Sequence, residues 1–252
     1  MLDLIVRKNE ILNDQYFLLI VSSKERLPEM LPGQFVEVRV DNDSNTFLRR
    51  PISINYVDYT TNELWLLIQK VGDGTRKLST LAENNILNLI FPLGNSFTVP
   101  ESKESKILLI GGGVGIAPLL FWGSYLYKRG YHCNFLLGGR SKENLLQLCE
   151  FEKYGNVYTT TEDGSHGENG FVTQHSILRG SNFDYIYSCG PTPMMKAVAS
   201  YAALNQVFCE VSLENTMACG FGACLCCVTD TTEGHLCVCT DGPVFNITKL
   251  KW

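Results

Sequence analysis

Six of the chain's ten cysteines (Cys219, Cys224, Cys226, Cys227, Cys237 and Cys239) crowd into the stretch from 219 to 239. From about Val211 onward the chain is rich in cysteine and glycine and too short to bury an apolar core of its own, so it folds only if something staples it. MLDLIVRKNE at the N-terminus has no basic segment leading into an apolar run and a cleavage site, so a cytoplasmic location is expected. In a reducing compartment, clustered cysteines read as metal ligands rather than disulfides. Their spacing, Cys219-x4-Cys224-x2-Cys227 and then Cys239, fits the plant-type pattern for a [2Fe–2S] cluster. Gly220 and Gly222 let such a loop turn with φ > 0 and aim backbone N–H groups at sulfur. A zinc site built from Cys224-x2-Cys227 and Cys237-x-Cys239 is the competing reading, and it leaves the x4 arm unexplained. Cys226 and Cys237 sit next to expected ligands and read as small packed residues, with Cys237 the alternative to Cys239 as fourth ligand. Cys133, Cys149 and Cys209 are expected in the core.

Upstream of this segment the chain changes character once. Short apolar or alternating runs (Tyr16 to Val21, Gln34 to Val40, Ile52 to Val57, Leu64 to Val71, Ile86 to Phe91) are separated by turn-rich pieces such as Asp41-Asn42-Asp43-Ser44-Asn45. The first helix-length segment is Thr75 to Glu83, so this part predicts an antiparallel barrel or sandwich. After the polar linker PESKESK, Pro100 to Lys106, strands and helices alternate. Strands are expected at Ile107 to Ile110, Cys133 to Leu137, Val157 to Thr161 and Asp184 to Ser188. Helices are expected at Ala117 to Lys128, Lys142 to Lys153 and Pro193 to Asn205. That alternation predicts a parallel sheet covered by helices. The expected architecture is therefore multi-domain, β plus α/β: an antiparallel β-barrel over 1–99, a parallel-sheet nucleotide domain over 100–210 and a small metal-stapled domain over 211–252.

The composition fits packed cores, with 45% apolar and 19% charged residues. A net charge of −5 with no run of Lys and Arg speaks against a nucleic-acid surface. Ile107 to Tyr127 has no charged residue and approaches a membrane-spanning length, but its glycines and Pro118 suit a strand, a turn and a buried helix in succession, so no membrane association is expected.

Gly111-Gly112-Gly113-Val114-Gly115-Ile116-Ala117-Pro118 follows a strand and opens a helix, where backbone N–H groups can receive a pyrophosphate. It departs from G-x-G-x-x-G, and taken alone serves equally as a tight turn. Gly138-Gly139-Arg140, Thr161-Glu162-Asp163-Gly164 and Cys189-Gly190-Pro191 would lie at neighbouring strand ends, where open α/β sheets bind ligands. Arg140 reads as a ribose or phosphate contact or as a solvated loop charge. Cys189 reads as a neighbour of a flat ring or as a buried thiol, without a nearby His to activate it. In the first part, Arg50-Pro51-Ile52-Ser53 and Gly72-Asp73-Gly74-Thr75 supply an Arg, a hydroxyl and a turn suited to an anionic diphosphate.

Taken together these strings resemble the ferredoxin reductase superfamily. With SLENTMACGFGACLCCV, CGPTPMMKAV and VCTDGPVF, the chain is similar end to end to the electron-transfer subunits of NAD-dependent (class 1B) dihydroorotate dehydrogenases. The resemblance implies FAD held by Arg50, Pro51, Ile52, Ser53, Leu67, Ile68, Gln69, Gly74 and Thr75. It implies a [2Fe–2S] cluster on Cys219, Cys224, Cys227 and Cys239, and NAD(H) facing Gly111, Gly112, Gly113, Gly115, Cys189 and Gly190; Arg140 joins that candidate site from its own position at the strand end. It implies an FMN-containing catalytic partner in a two-plus-two heterotetramer, with electrons passed from dihydroorotate to NAD+ in de novo pyrimidine (UMP) biosynthesis. No acid–base or nucleophilic catalytic residue is implied. The alternative is a flavin subunit of a ferredoxin:NADP+ oxidoreductase or sulfide dehydrogenase; such relatives carry a D-G-T-G-M-C-G type loop where this chain has Asn215-Thr216-Met217-Ala218-Cys219-Gly220.

Overall fold

A computed structural model of the chain describes residues 1–252 except Asn42, Ser44 and Ser181, so the turn expected at Asn42 and Ser44 lies outside the described residues. The first part is one seven-stranded antiparallel sheet made of β1 (Leu2–Ile11), β2 (Tyr16–Ser22), β3 (Phe35–Val38), β4 (Arg50–Ser53), β5 (Tyr56–Asp58), β6 (Glu63–Gln69) and β7 (Ile86–Leu93), in the order β4-β3-β7-β1-β2-β6-β5. Its two edge strands, β4 and β5, are consecutive in the chain. The expected strand from Ile52 to Val57 breaks at Ile54-Asn55, and this break shapes the sheet. Ile54 N–H donates to Gln34 O (3.1 Å) on one edge and Asn55 N–H to Trp65 O (3.0 Å) on the other, so the sheet rolls until its edges meet at that dipeptide. A short helix, α1 (Asp73–Leu78), covers less than the expected Thr75 to Glu83.

β2 is buried along its whole length because both faces are covered. Phe17, Leu19 and Val21 fill the inside of the roll, while Tyr16, Leu18 and Ile20 pack outward against the second half. A strand buried on both faces reads as a continuous apolar run, as this one does.

The second sheet comprises β8 (Ile107–Gly112), β9 (Cys133–Gly139), β10 (Gly155–Thr161), β11 (Glu168–Asn169), β12 (Tyr185–Cys189), β13 (Phe208–Ser212) and β16 (Val244–Asn246), in the order β11-β10-β9-β8-β12-β13-β16. All its pairings are parallel except β13 with β16. Helices α2 (Ala117–Tyr127) and α5 (Thr192–Leu204) and the short turns α3 (Leu148–Phe151) and α4 (Ile177–Gly180) connect the strands. The uncharged stretch from Ile107 to Tyr127 is β8, a glycine turn and α2, and no helix among the described residues is long and apolar enough to cross a membrane. α2 is apolar all round because it lies between two cores: Leu119, Leu120, Trp122 and Leu126 pack with the sheet, and Phe121 enters the barrel core.

Three expectations are corrected. The helix over Lys142 to Lys153 is instead a 3-10 turn at Lys142–Asn144 followed by α3. Tertiary contact overrides propensity here: Gln147 takes a left-handed φ of 56° and exchanges amide hydrogen bonds with Asn55 (3.1 and 3.0 Å) across the two halves. The segment after Val211 is not all loop, because it forms a hairpin of β14 (Val228–Thr231) and β15 (Gly234–Cys237) and then returns through β16 to the main sheet. Cys149 and Cys226 are exposed rather than packed, whereas Cys133, Cys209 and Cys237 are buried.

Candidate cofactor sites

The cysteine loop is built from its backbone outward. Gly220 and Gly222 take φ of 78° and 85°, which turns successive N–H groups inward. Gly222 N–H donates to Cys239 Sγ (3.2 Å), Cys226 N–H to Cys224 Sγ (3.5 Å) and Cys239 N–H to Cys227 Sγ (3.4 Å). The Phe221 N–H, helped by those of Cys224 and Ala223, draws the Cys219 thiol down to about 6, which favours thiolate. Cys219 lies against Cys224, and Cys227 against Cys239. Two thiol pairs facing backbone donors suit a two-iron centre, whose sulfurs are tuned by such hydrogen bonds. Among the described residues no three His, Cys, Asp or Glu side chains converge as ligands of one metal ion. Cys237 also approaches Cys227, but its backbone is turned into a separate knot in which its N–H donates to Asp241 Oδ2 (2.7 Å).

The nest is fastened from three directions. Asn215 Nδ2 donates to Cys227 O (3.2 Å), and Asn95 at the end of the barrel holds Asp241 O (2.7 Å) through its amide and Val244 N–H (3.2 Å) through its Oδ1. Cys227, Cys237 and Cys239 share a core with Leu108, Ile110 and Phe245 of the parallel sheet. On the opposite side Cys224 is exposed, flanked by Phe221 and Leu225, which are 57% and 64% exposed.

Sequence reasoning missed Glu37. It lies on β3, fully buried, and neither carboxylate oxygen has a hydrogen-bond partner among the described residues. A Cβ on Gly220 would stand 2.6 Å from its Cγ, so the cluster loop closes directly over it. Burial pushes its pKa up to about 7, with Arg49 opposing and Cys219 adding to the rise. The signal was there in FVEV, a lone charge in an otherwise apolar buried strand. A folded pKa near 7 against 4.5 unfolded means that the chain gives up stability as pH rises through that window. Glu37→Gln is therefore expected to raise the stability of the full chain by roughly 2–3 kcal/mol at pH 8 and to change it little at pH 4.5, as read by thermal melts at both pH values.

In the barrel, Arg50 folds over its own loop, donating to Leu48 O (2.9 Å) and Arg49 O (3.2 Å). Its Nε stands 2.8 Å from where a Cβ on Gly74 would be, so the Arg50 and Gly74 segments meet. Thr75 Oγ1 accepts from Val71 N–H (2.9 Å) and Gly72 N–H (3.1 Å), fixing the start of α1. The Leu67 and Ile68 side chains are sunk in separate cores. β5 pairs with β6 only as far as Trp65, which leaves the edge of β6 along Leu67, Ile68 and Gln69 without a partner strand on that side. Among the described residues the other edge of β4, carrying Pro51, Ile52 and Ser53, is likewise unpaired; β4 lies close to β6, and Gly74 of α1 approaches Arg50.

In the second half the chain runs from β8 outward through β9 to β10, then crosses back to β12 and outward to β13, so the strand order reverses between β8 and β12. Ligands of open α/β sheets bind at such a switch point, outside the carboxyl ends of the strands. Gly111, Gly112, Gly113 and Gly115 sit there against Cys189 and Gly190. A Cβ on Gly115 would lie 2.4 Å from Gly190 Cα, and one on Gly190 would lie 3.0 Å from Gly112 O. Backbone packed this closely has no room for side chains. Cys189 is 1% exposed, and burial raises its thiol far above the usual range, so it stays neutral. Arg140 is exposed one strand away, beside the acidic loop; Asp163 N–H donates to Arg140 O (3.1 Å) and Glu162 N–H to Gly139 O (3.0 Å).

Residues 214–251 match the family profile described as the iron-sulfur cluster binding domain of dihydroorotate dehydrogenase B, and residues 109–200 match the oxidoreductase NAD-binding domain. The chain is 37% identical to the dihydroorotate dehydrogenase B (NAD(+)) electron transfer subunit of Shouchella clausii, over 96% of this chain and 95% of that one. It is 38% identical to that of a Geobacillus species, over 96% and 94%. It is 39% identical to that of Fusobacterium nucleatum, over 85% and 84%. Among solved structures, one of an NADH-dependent reduced ferredoxin-NADP oxidoreductase, reported for flavin-based electron bifurcation, superposes with a TM-score of 0.89 at 30% identity, covering 99% of this chain and 90% of that one. A flavohemoglobin from Malassezia yamatoensis shares the fold, with a TM-score of 0.68 at 15% identity over 83% of this chain and 59% of that one.

Proposed function

The chain belongs to the family of dihydroorotate dehydrogenase B (NAD(+)) electron transfer subunits, and from that membership we propose how its own residues divide the work. Its function is electron transfer between a dihydroorotate-oxidising partner and NAD+, as an NAD-linked oxidoreductase subunit with an iron–sulfur centre and a flavin. When bound, the iron–sulfur centre supplies one-electron transfer and FAD supplies the exchange between single electrons and a hydride.

Cys219, Cys224, Cys227 and Cys239 would hold the iron–sulfur centre, as two neighbouring pairs, Cys219 with Cys224 and Cys227 with Cys239. The Gly222 N–H, reaching from the first three cysteines across to Cys239 Sγ, favours Cys239 over Cys237 as the fourth ligand. The facing edges of β4 and β6 hold the flavin. Arg50 and Ser53 meet its diphosphate, and Pro51, Ile52, Leu67, Ile68, Gln69, Gly74 and Thr75 line it, largely through backbone. Gly111, Gly112, Gly113 and Gly115 offer N–H groups to the diphosphate of NAD(H). Arg140 flanks it, and Gly190 and the neutral Cys189 floor the nicotinamide end. Residues 1–99, 100–210 and 211–252 then act as flavin, nucleotide and cluster domains.

The observation that carries the electron route is the asymmetry of the cysteine nest. Cys227 and Cys239 are buried against the rest of the chain, whereas Cys224 opens to the surface between exposed Phe221 and Leu225. An apolar rim at the one exposed ligand suits docking of an FMN-containing catalytic subunit there, two copies of each chain forming a cytoplasmic heterotetramer that serves UMP synthesis. Co-expression with the FMN-containing partner, followed by a dihydroorotate:NAD+ assay on the purified complex, tests the reading. NAD+ reduction supports it. An intact complex that fails with dihydroorotate yet couples ferredoxin to NADP+ would favour the ferredoxin oxidoreductase class instead.

A further inference from the structure

The hairpin joining β1 to β2 reaches out of the barrel into the nucleotide half. Asn13 Oδ1 accepts from Gln15 N–H (2.9 Å) and Tyr16 N–H (3.0 Å), while Asn13 Nδ2 donates to Glu143 O (2.8 Å) in the turn that follows Arg140. This anchor delivers Tyr16 to the glycine loop. The Tyr16 side chain belongs to the core shared by the two halves and is 4% exposed, and its Oη lies 3.6 Å from where a Cβ on Gly113 would stand.

That hydroxyl has Asn144 as a side-chain hydrogen-bond partner but donates to no backbone carbonyl among the described residues, which is unusual in this chain. Tyr131, Tyr187 and Tyr201 each donate to a backbone carbonyl, of Pro100 (2.8 Å), Thr98 (2.6 Å) and Leu178 (2.8 Å) respectively. Buried tyrosines ordinarily find such partners because an orphaned hydroxyl is costly. Asn144 and Arg140 oppose the rise in its pKa that burial causes; the Asn144 oxygen already accepts from Ser141 N–H (3.1 Å) and the Ser141 hydroxyl (3.3 Å), so Asn144 meets the Tyr16 oxygen as a donor and leaves the Tyr16 O–H free to donate. The free O–H faces Gly113, whose φ of 56° and absent side chain leave a hollow, with Arg140 near the same spot.

We propose that Tyr16 is the barrel's own contribution to dinucleotide binding: its hydroxyl donates a hydrogen bond to a phosphate oxygen of a diphosphate seated on the Gly113–Gly115 loop. The proposal rests on reading that loop as the dinucleotide site. It makes the flavin half part of the nucleotide site, because the donor comes from β2 of the barrel and not from the parallel sheet.

The test is Tyr16→Phe in the assembled holoenzyme, which keeps the ring that packs and removes only the donor. Loss of a hydrogen bond to a charged phosphate is expected to raise KM for NAD+ and Ki for ADP-ribose together by roughly tenfold, with kcat within about twofold and the melting temperature unchanged. Asn13→Ala is the comparison, because it loosens the hairpin without touching the hydroxyl; a lower melting temperature with KM changed by less than about twofold is expected. An equal KM rise in Asn13→Ala and Tyr16→Phe would overturn the proposal by showing that the hydroxyl acts only through hairpin position. Unchanged KM and Ki in Tyr16→Phe, with NAD+ still reduced, would overturn the role of Tyr16 and leave the loop reading standing. Wild-type holoenzyme that binds neither NAD+ nor ADP-ribose would overturn the loop reading itself, and the Tyr16 role with it.

Discussion

Cys224→Ser in the assembled complex is expected to cut dihydroorotate-driven NAD+ reduction to below roughly a hundredth of wild type, because even indirect damage to a metal site costs about 10- to 100-fold. NADH oxidation with an artificial dye, which needs only the flavin and nucleotide sites, is expected to survive within about twofold. Cys224 is the informative position because it is exposed and contributes little to packing. Cys227 and Cys239 are 2% exposed and part of the core with Leu108 and Phe245, so replacing them also weakens the attachment of the whole C-terminal segment. Loss of both activities in Cys224→Ser with FAD retained would break the proposed division of labour.

Gly74→Val is expected to have the second largest effect, through FAD rather than the cluster. Its Cβ would stand 2.8 Å from Arg50 Nε and 3.1 Å from Thr46 Cγ2, so Arg50 must swing away from the diphosphate position. Gly74 does not occupy a left-handed conformation, so the effect is steric and falls on Arg50 rather than on the backbone. Removing a charged, hydrogen-bonding anchor from a diphosphate is expected to weaken FAD binding by about 10- to 100-fold, seen as loss of FAD on desalting when the flavin extracted from the protein is quantified by chromatography. Arg50→Ala is expected to lose flavin equally, and with little change in stability, because among the described residues Arg50 donates only to the carbonyls of its own loop. If Gly74→Val kept its FAD through desalting, the placement of the flavin between β4 and β6 would be wrong.

The parts of this molecule that were legible in the sequence are those governed by local spacing. The cysteine nest follows from intervals of x4 and x2 with glycines between them. The parallel sheet follows from apolar runs ending in glycine-rich turns, and the uncharged stretch around Pro118 resolved into β8 and α2 as its glycines required. What was not legible depends on which surfaces meet. Whether Lys142 to Lys153 forms one helix is decided by Gln147 reaching Asn55, 92 positions away, and no local propensity encodes that contact. β1 was overlooked because only Leu4 and Val6 are deeply buried, while Arg7, at a bulge, and the residues around it face solvent. Glu37 and Tyr16 were overlooked for a shared reason. Each is an ordinary strand residue until the two halves and the C-terminal segment close over it, and only then does an unpartnered carboxyl, or a hydroxyl brought to the glycine loop, mark a site. The packing of Cys226 was misjudged for the opposite reason, since the loop turns its ligand-adjacent side chain out to solvent.

The central claim, that electrons reach the flavin of this chain through the cysteine nest, is tested most directly by a single turnover. The oxidised complex is mixed anaerobically with dihydroorotate, without NAD+, and flavin bleaching is followed in wild type and in Cys224→Ser. The account predicts that in wild type both flavins bleach and a reduced iron–sulfur signal appears by electron paramagnetic resonance. In Cys224→Ser, bleaching should stop at the partner's flavin. Bleaching of both flavins in Cys224→Ser at the wild-type rate would mean that electrons bypass the nest, and would contradict the account.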